Sequence, residues 1–165
     1  MAISPCAADT VLEAFEATRG KISFDSNLRL KLWPLPRARA MISAAAAMAD
    51  YFFPSLEDAR ELSGMKSPEE NLDWAHRLGA KTVFLKLGPD GVIVSDATRH
   101  ERIPGFPVEA VDATGAGDCF CGATLARLAA GDSIREAARY ANAAAALKMT
   151  GFGAVPKGSF RMCGA

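Results

Sequence analysis

Asp112-Ala113-Thr114-Gly115-Ala116-Gly117-Asp118 sets two glycines between carboxylates and runs straight into an alanine-rich apolar stretch. Glycines let the backbone approach a bound group closely. The first amides of a helix that starts there point at that group, with the positive end of the helix dipole behind them. The segment therefore predicts an anion cradle. A carboxylate at the mouth of such a cradle repels a resting phosphate, so Asp118 makes chemical sense as a base. It would take a proton from a hydroxyl while the amides of Gly115, Ala116 and Gly117 hold the phosphoryl group being transferred. The plainer alternative is a tight turn in which Asp118 only caps the helix. A Walker loop does not fit, because no lysine follows Gly122, and a dinucleotide fingerprint would need glycine where Phe120 stands.

Composition sets the frame. The chain has 165 residues, half of them hydrophobic, enough for one domain with a core of its own. Nineteen basic and nineteen acidic residues cancel, and no basic stripe stands out. Nucleic acid and anionic membranes are not expected as partners, whereas a small molecule is. Met1 to Phe15 lacks the pattern of a signal peptide and no run reaches the roughly 20 apolar residues of a membrane span, so a cytoplasmic protein is expected. Cys6, Cys119, Cys121 and Cys163 show no metal-ligand spacing and are read as free thiols. His76 and His100 are read as surface residues.

Helices and strands alternate along the chain. Val11, Leu12 and Phe15 predict a helix over Asp9–Arg19 that stops at Gly20, and Lys21–Phe24 a strand ending at Asp25. Further helices are expected over Arg37–Met48, from a Ser55 cap to about Ser63, and from the capping box Ser67-Pro68-Glu69-Glu70 to Gly79. Tyr51–Phe53 reads as a short buried strand. Thr82–Leu87 is a continuous apolar run suited to a strand covered on both faces; Pro89-Asp90-Gly91 turns it into Val92–Ser95, followed by a polar strand at Arg99–Ile103. Gly117–Ala130 and Ile134–Met149 close the fold as helices, the second capped by Ser133 and Glu136. The order predicts an α/β fold with a mostly parallel sheet and right-handed crossovers. Ligands collect at the carboxyl ends of the strands of such sheets. That is where Asp25, Asn27, Arg29, Glu57, Gly88–Gly91 and Gly115–Asp118 all fall.

The segment from Val111 to Pro156 resembles the signature region of the ribokinase-like (PfkB) carbohydrate kinases, whose hallmark is Asp-Thr-x-Gly-Ala-Gly-Asp opening a helix. Asp25-Ser26-Asn27-Leu28-Arg29 is similar to the Asp-x-Asn-x-Arg strand end of 2-keto-3-deoxygluconate kinases and fructokinases. Leu85-Lys86-Leu87-Gly88-Pro89-Asp90-Gly91 is similar to the family's nucleotide-side Leu-Gly-x-x-Gly turn. The resemblance covers nearly all of this chain but only the C-terminal half of a family member. It implies a single ribokinase-like three-layer α/β/α domain, over residues 1–165, with the N-terminal part of the fold missing.

The resemblance also implies roles. Asp118 matches the catalytic base acting on the sugar hydroxyl, and Gly115, Ala116 and Gly117 the anion hole. Lys86, Leu87, Gly88, Gly91, Gly117 and Asn142 match the nucleotide side, although Asn142 taken alone reads rather as a helix-surface residue. Asn27 and Arg29 match the substrate side. Arg29 suits a carboxylate or phosphate oxygen, or is a plain surface arginine. Glu57 matches the last residue of Asn-x-x-Glu, linked to Mg2+ through water, although Pro54 stands at the motif's first position. Asp112 and Thr114, with carbonyls of the loop Lys148–Lys157, resemble the holders of a monovalent cation such as K+; Asp112 could instead only brace the turn. The implied activity is ATP-dependent phosphorylation of a sugar or sugar acid. The run Asn27–Pro34 looks most like 2-keto-3-deoxygluconate kinases, and a fructokinase- or ribokinase-type enzyme is the alternative. An inactive nucleotide-binding remnant is the other reading, because half of the sugar pocket is missing. An exposed sheet edge would then favour a homo-oligomer.

Overall fold

The computed structural model describes residues 4–155. Residues 4–155 fall into two compact units, one made of residues up to 87 with 93–101, the other of 88–92 and 102 onward, where composition suggests a single domain.

The first unit carries α1 (Pro5–Ala17), β1 (Ser23–Phe24), α2 (Leu35–Met48), β2 (Tyr51–Phe52), α3 (Leu56–Ser63), α4 (Pro68–Leu78), β3 (Thr82–Lys86), most of β4 (Val92–Ser95) and the start of β5 (His100–Ile103). The sheet runs in the order β1-β2-β3-β4-β5. β1 pairs parallel with β2 through Ser23–Tyr51 and Phe24–Phe52, and β2 with β3 through Tyr51–Thr82 and Phe52–Val83. Both faces are apolar because successive strand residues alternate sides. Phe24 stacks on Phe52 at 5.9 Å, and Phe53 on Phe84 at 4.7 Å. Phe52, Phe53, Val83 and Phe84 are all fully buried. Ala38, Ile42, Ala45 and Ala46 of α2 and Leu72 and Ala75 of α4 form the buried stripes of their helices.

Local chemistry explains most boundaries. α3 and α4 start where expected, Ser55 Oγ accepting from the Asp58 amide and Ser67 completing its box with Glu70. α1 starts earlier than Asp9, because Ser4 Oγ accepts from the Ala7 amide and caps a helix opening at Pro5. It also ends before Gly20. The chain leaves in an extended conformation at Thr18 (φ −74°, ψ 136°), so no left-handed cap is used there.

One further expectation is corrected in this unit. His76 is half-buried rather than a surface residue: its Nδ1 lies 2.9 Å from the Ala80 carbonyl and its Nε2 2.6 Å from Ser95 Oγ. His100, itself exposed, places Nδ1 2.8 Å from the same hydroxyl. A buried serine hydroxyl has one proton and lone pairs to spare, and so gathers both rings.

The second unit holds α5 (Ala116–Ala129) packed against α6 (Ile134–Met149), together with the turn Gly88–Asp90. Ala137, Ala138, Ala141, Ala144 and Ala146 are buried, which is the close packing their small size allows. Ser133 and Glu136 form the expected capping box of α6. Cys119 and Cys121 are half-buried thiols and Cys6 is exposed; none of the three is in a disulfide. Cys163 and the end of the loop at Pro156 and Lys157 lie outside the described residues.

Candidate active site

α5 begins after a sharp turn. Gly115 is its N-cap with φ +77°, and a Cβ there would stand 2.8 Å from the Ala154 carbonyl oxygen, so glycine is required both by conformation and by space. The Ala116 amide donates to the Ala113 carbonyl at 3.1 Å. Gly117 and Asp118 contribute the next amides of the first turn, where no earlier helical carbonyl is within reach. Asp118 is exposed on that turn. The arrangement can hold an anion on backbone amides with a carboxylate beside it, the chemistry expected for a phosphoryl group and a base.

Asp112 stabilises the turn that leads into the cradle. Its Oδ1 accepts from the Thr114 amide at 2.9 Å and its Oδ2 from the Gly153 amide at 2.8 Å. The Thr114 amide and then its hydroxyl, followed by the Gly153 amide and the positive charge of Lys148, hold the Asp112 carboxyl down at about 2. The Lys148 ammonium, 1% exposed, donates to the Asp112 main-chain carbonyl at 2.7 Å. The amides of Val111 and Asp112 donate to the Met149 carbonyl at 2.8 and 3.2 Å.

Of the residues expected on the nucleotide side, Gly88, Gly91 and Asn142 gather around one backbone segment of the second unit. Gly88 and Gly91 have φ +62° and +95°. A Cβ on Gly91 would collide with the backbone of Ile103, Pro104 and Gly105. Asn142 sits against the same segment, its Nδ2 donating to the Ile103 and Pro104 carbonyls at 3.2 and 3.0 Å. It is 7% exposed, so the helix-surface alternative for Asn142 is set aside: its amide nitrogen is spent on two backbone carbonyls.

The remaining expected residues belong to the first unit. Lys86 closes β3 and its Nζ lies 2.7 Å from Asp25 Oδ2, with both side chains largely buried. The Asn27 amide donates to Asp25 Oδ1 at 3.2 Å, and Asn27 takes a left-handed φ of +36°, which asparagine tolerates better than most residues. Arg29 is exposed and turns one guanidinium nitrogen back to the Leu28 carbonyl at 2.9 Å. Leu87, half-buried, follows Lys86. Glu57 is exposed in the first turn of α3. Lys86 is thus joined to the Asp25–Arg29 turn.

Sequence reasoning missed three residues. Asp58, next to Glu57, accepts on one oxygen from the Ser26 hydroxyl at 2.6 Å and the Leu28 amide at 3.0 Å, and so tethers the turn that carries Asn27 and Arg29. His76 lies in the Ser95 network. Lys148 could have been found, because it continues the buried stripe of Ala137, Ala141 and Ala144 at helical spacing.

Comparison with known proteins identifies the family and the fold. The model of the pfkB family carbohydrate kinases matches residues 2–158. A 2-dehydro-3-deoxygluconokinase from Bacillus subtilis is 35% identical over 130 residues, covering 78% of this chain and 40% of that protein. The aminoimidazole riboside kinase of Salmonella enterica, solved with aminoimidazole riboside and an ATP analogue, superposes with a TM-score of 0.86 at 32% identity, over 92% of this chain and 54% of that one. The fructokinase of Vibrio cholerae, solved with fructose, ADP and calcium, gives 0.81 at 31% identity, over 90% and 50%. The chain thus spans about half the length of the relatives it matches. The ribokinase-like α/β fold, the cradle at the start of α5 and the match over almost its whole length make this chain a member of the pfkB family of carbohydrate kinases.

Proposed function

We propose that this chain is the nucleotide-binding and phosphoryl-transfer part of an ATP-dependent kinase acting on a sugar acid of the 2-keto-3-deoxygluconate type. The observation that carries the reading is the position of Asp118 on the first turn of α5, directly behind the left-handed Gly115. In this reading the γ-phosphoryl group rests on the amides of Gly117 and Asp118, and Asp118 accepts the proton of the attacking hydroxyl. A carboxylate suffices because the transition state is loose and the proton leaves late. Gly88, Gly91 and the segment braced by Asn142 support the nucleotide. Arg29 supplies a planar two-pronged partner for the carboxylate of a sugar acid. Mg2+ arrives with the nucleotide and neutralises phosphate charge. The exposed Glu57 carboxylate fits a hold on its hydration shell, since Mg2+ keeps most of its waters. A kinase drawing on the ATP pool belongs in the cytoplasm.

A fructokinase- or ribokinase-type substrate is the alternative within the same chemistry. The half-length match favours a second reading, a nucleotide-binding chain that turns over no sugar by itself.

The test is an ADP-release assay with ATP, Mg2+ and either 2-keto-3-deoxygluconate or fructose, run beside calorimetric titration of ADP, on the chain and on Asp118→Asn. ADP binding is expected in both. Any turnover should fall by roughly 10²–10⁴ in the variant. Turnover within a few-fold of the parent would reduce Asp118 to a cap, and a chain that fails to bind ADP would defeat the reading altogether.

A further inference from the structure

We propose that the buried ammonium of Lys148 takes the place of the monovalent cation at the Asp112 turn, so that this protein's nucleotide site works without K+. The inference deepens the kinase reading and rests on it for its functional meaning. Family resemblance would put such a cation against Asp112, Thr114 and carbonyls at and beyond the end of α6. The donor set found there does not fit one.

The Asp112 oxygens and the carbonyls of the last turn of α6 already accept hydrogen bonds. The Asp112 main-chain carbonyl accepts from Lys148 Nζ at 2.7 Å. Both oxygens of its carboxylate accept from amides, those of Thr114 and Gly153. At the end of α6 the Leu147 carbonyl accepts from the Thr150 amide and hydroxyl, the Lys148 carbonyl from the Gly151 amide, and the Met149 carbonyl from the Val111 and Asp112 amides. A cation entering among these groups would have to share each oxygen that it took with a hydrogen bond already accepted there, and the Asp112 carbonyl with an ammonium.

Charge points the same way. The C-terminal end of α6 carries the negative end of the helix dipole, and Lys148 is the basic residue of that last turn. Its charge reaches Asp112 and Cys119, the groups on either side of the cradle. One half-buried carboxylate and one helix end attract a single positive charge, and the chain supplies it covalently. A second cation on the same carbonyl would face that ammonium across a few ångströms of low-dielectric interior. Tethering also removes the cost of capturing a free ion, so the turn is ordered whatever the salt.

The experiment compares chloride salts of K+, Na+ and tetramethylammonium at equal ionic strength, reading the melting temperature of the chain and its affinity for ADP with Mg2+. For the unaltered chain both should be the same in all three salts, melting temperatures within about one degree. A ligand that binds only the folded state raises the melting temperature by mass action. A K+-specific rise of several degrees, or an ADP affinity improved more than about fivefold by K+ alone, would therefore overturn the proposal. Lys148→Met supplies the converse. Opening the position should create the response, with K+ restoring stability and ADP affinity where tetramethylammonium does not. A folded Lys148→Met chain indifferent to K+ would also overturn it. If that variant does not fold, the unaltered chain still decides. A chain that binds no ADP in any salt defeats the kinase reading instead, and leaves the melting comparison standing.

Discussion

Gly115 shows how much a single residue carries. Its backbone conformation is one that L side chains rarely adopt, and the space where a side chain would go is filled by Ala154. Gly115→Val should therefore move the turn, at a cost of roughly 1–3 kcal/mol, and pull the Gly117 and Asp118 amides off their aim. Affinity for a non-hydrolysable ATP analogue is expected to fall at least tenfold, with ADP affected less, while the helical signal of α5 and α6 in circular dichroism is kept. Calorimetry on the folded variant checks this, and unchanged affinity would remove the anion cradle from the argument. Glu57 and Asp58 make the complementary point. They are neighbours on the first turn of α3, yet one is exposed and the other holds Ser26 and Leu28.

At the scale of elements, the three parallel strands are tied at their amino ends by Asp50. It is 7% exposed and sits between β2 and the residues leading into β1 and β3: its Oδ2 accepts from the Ile22 amide at 2.9 Å, and its Oδ1 meets Lys81 and Lys21 at 3.0 and 3.2 Å. The Ile22 hydrogen bond, opposed by burial and then helped by the two lysines, lowers the Asp50 carboxyl from 3.8 to about 2. A depressed carboxylate stabilises the fold above its unfolded value and loses that contribution as pH falls through the folded one. Between pH 4 and pH 2 the chain should thus lose about 2 kcal/mol from this group. Asp50→Asn should remove that part of the acid dependence and lower stability at pH 7 by a similar amount. Urea unfolding of both chains across this pH range is the measurement. Parallel curves for the two would show that Asp50 is not the tie.

At the scale of the whole molecule, no strand among the described residues pairs with the outer edge of β1. The strand is two residues long and lies at the end of the sheet order. Unit one also leaves Leu30 and Leu32 half exposed. An unpaired edge beside apolar side chains is a template for another strand. The chain is expected to self-associate, with a light-scattering mass above that of the monomer. Ser23→Lys should shift the distribution toward the monomer, because a charge on an edge strand opposes pairing. A monodisperse monomer at all concentrations would show that β1 needs no cover.

What the amino-acid sequence determined by itself was local. Ser55, Ser67 and Ser133 mark helix starts because a hydroxyl three residues from an amide can cap it whatever lies further away. Gly91 and Gly115 mark turns because only glycine is at ease with their backbone angles. The seven residues from Asp112 to Asp118 carry the cradle in order, so the motif could be read without coordinates. What only the tertiary structure decided was which charges meet across long stretches of chain. Lys86 finds Asp25 from 61 residues away, and Lys148 finds the Asp112 carbonyl from 36. Such pairings depend on how strands align and helices pack, to which many distant contacts contribute together. Spacing along the chain does not encode them, and the fate of a lysine on an alanine helix is settled only when the surface beneath it is in place.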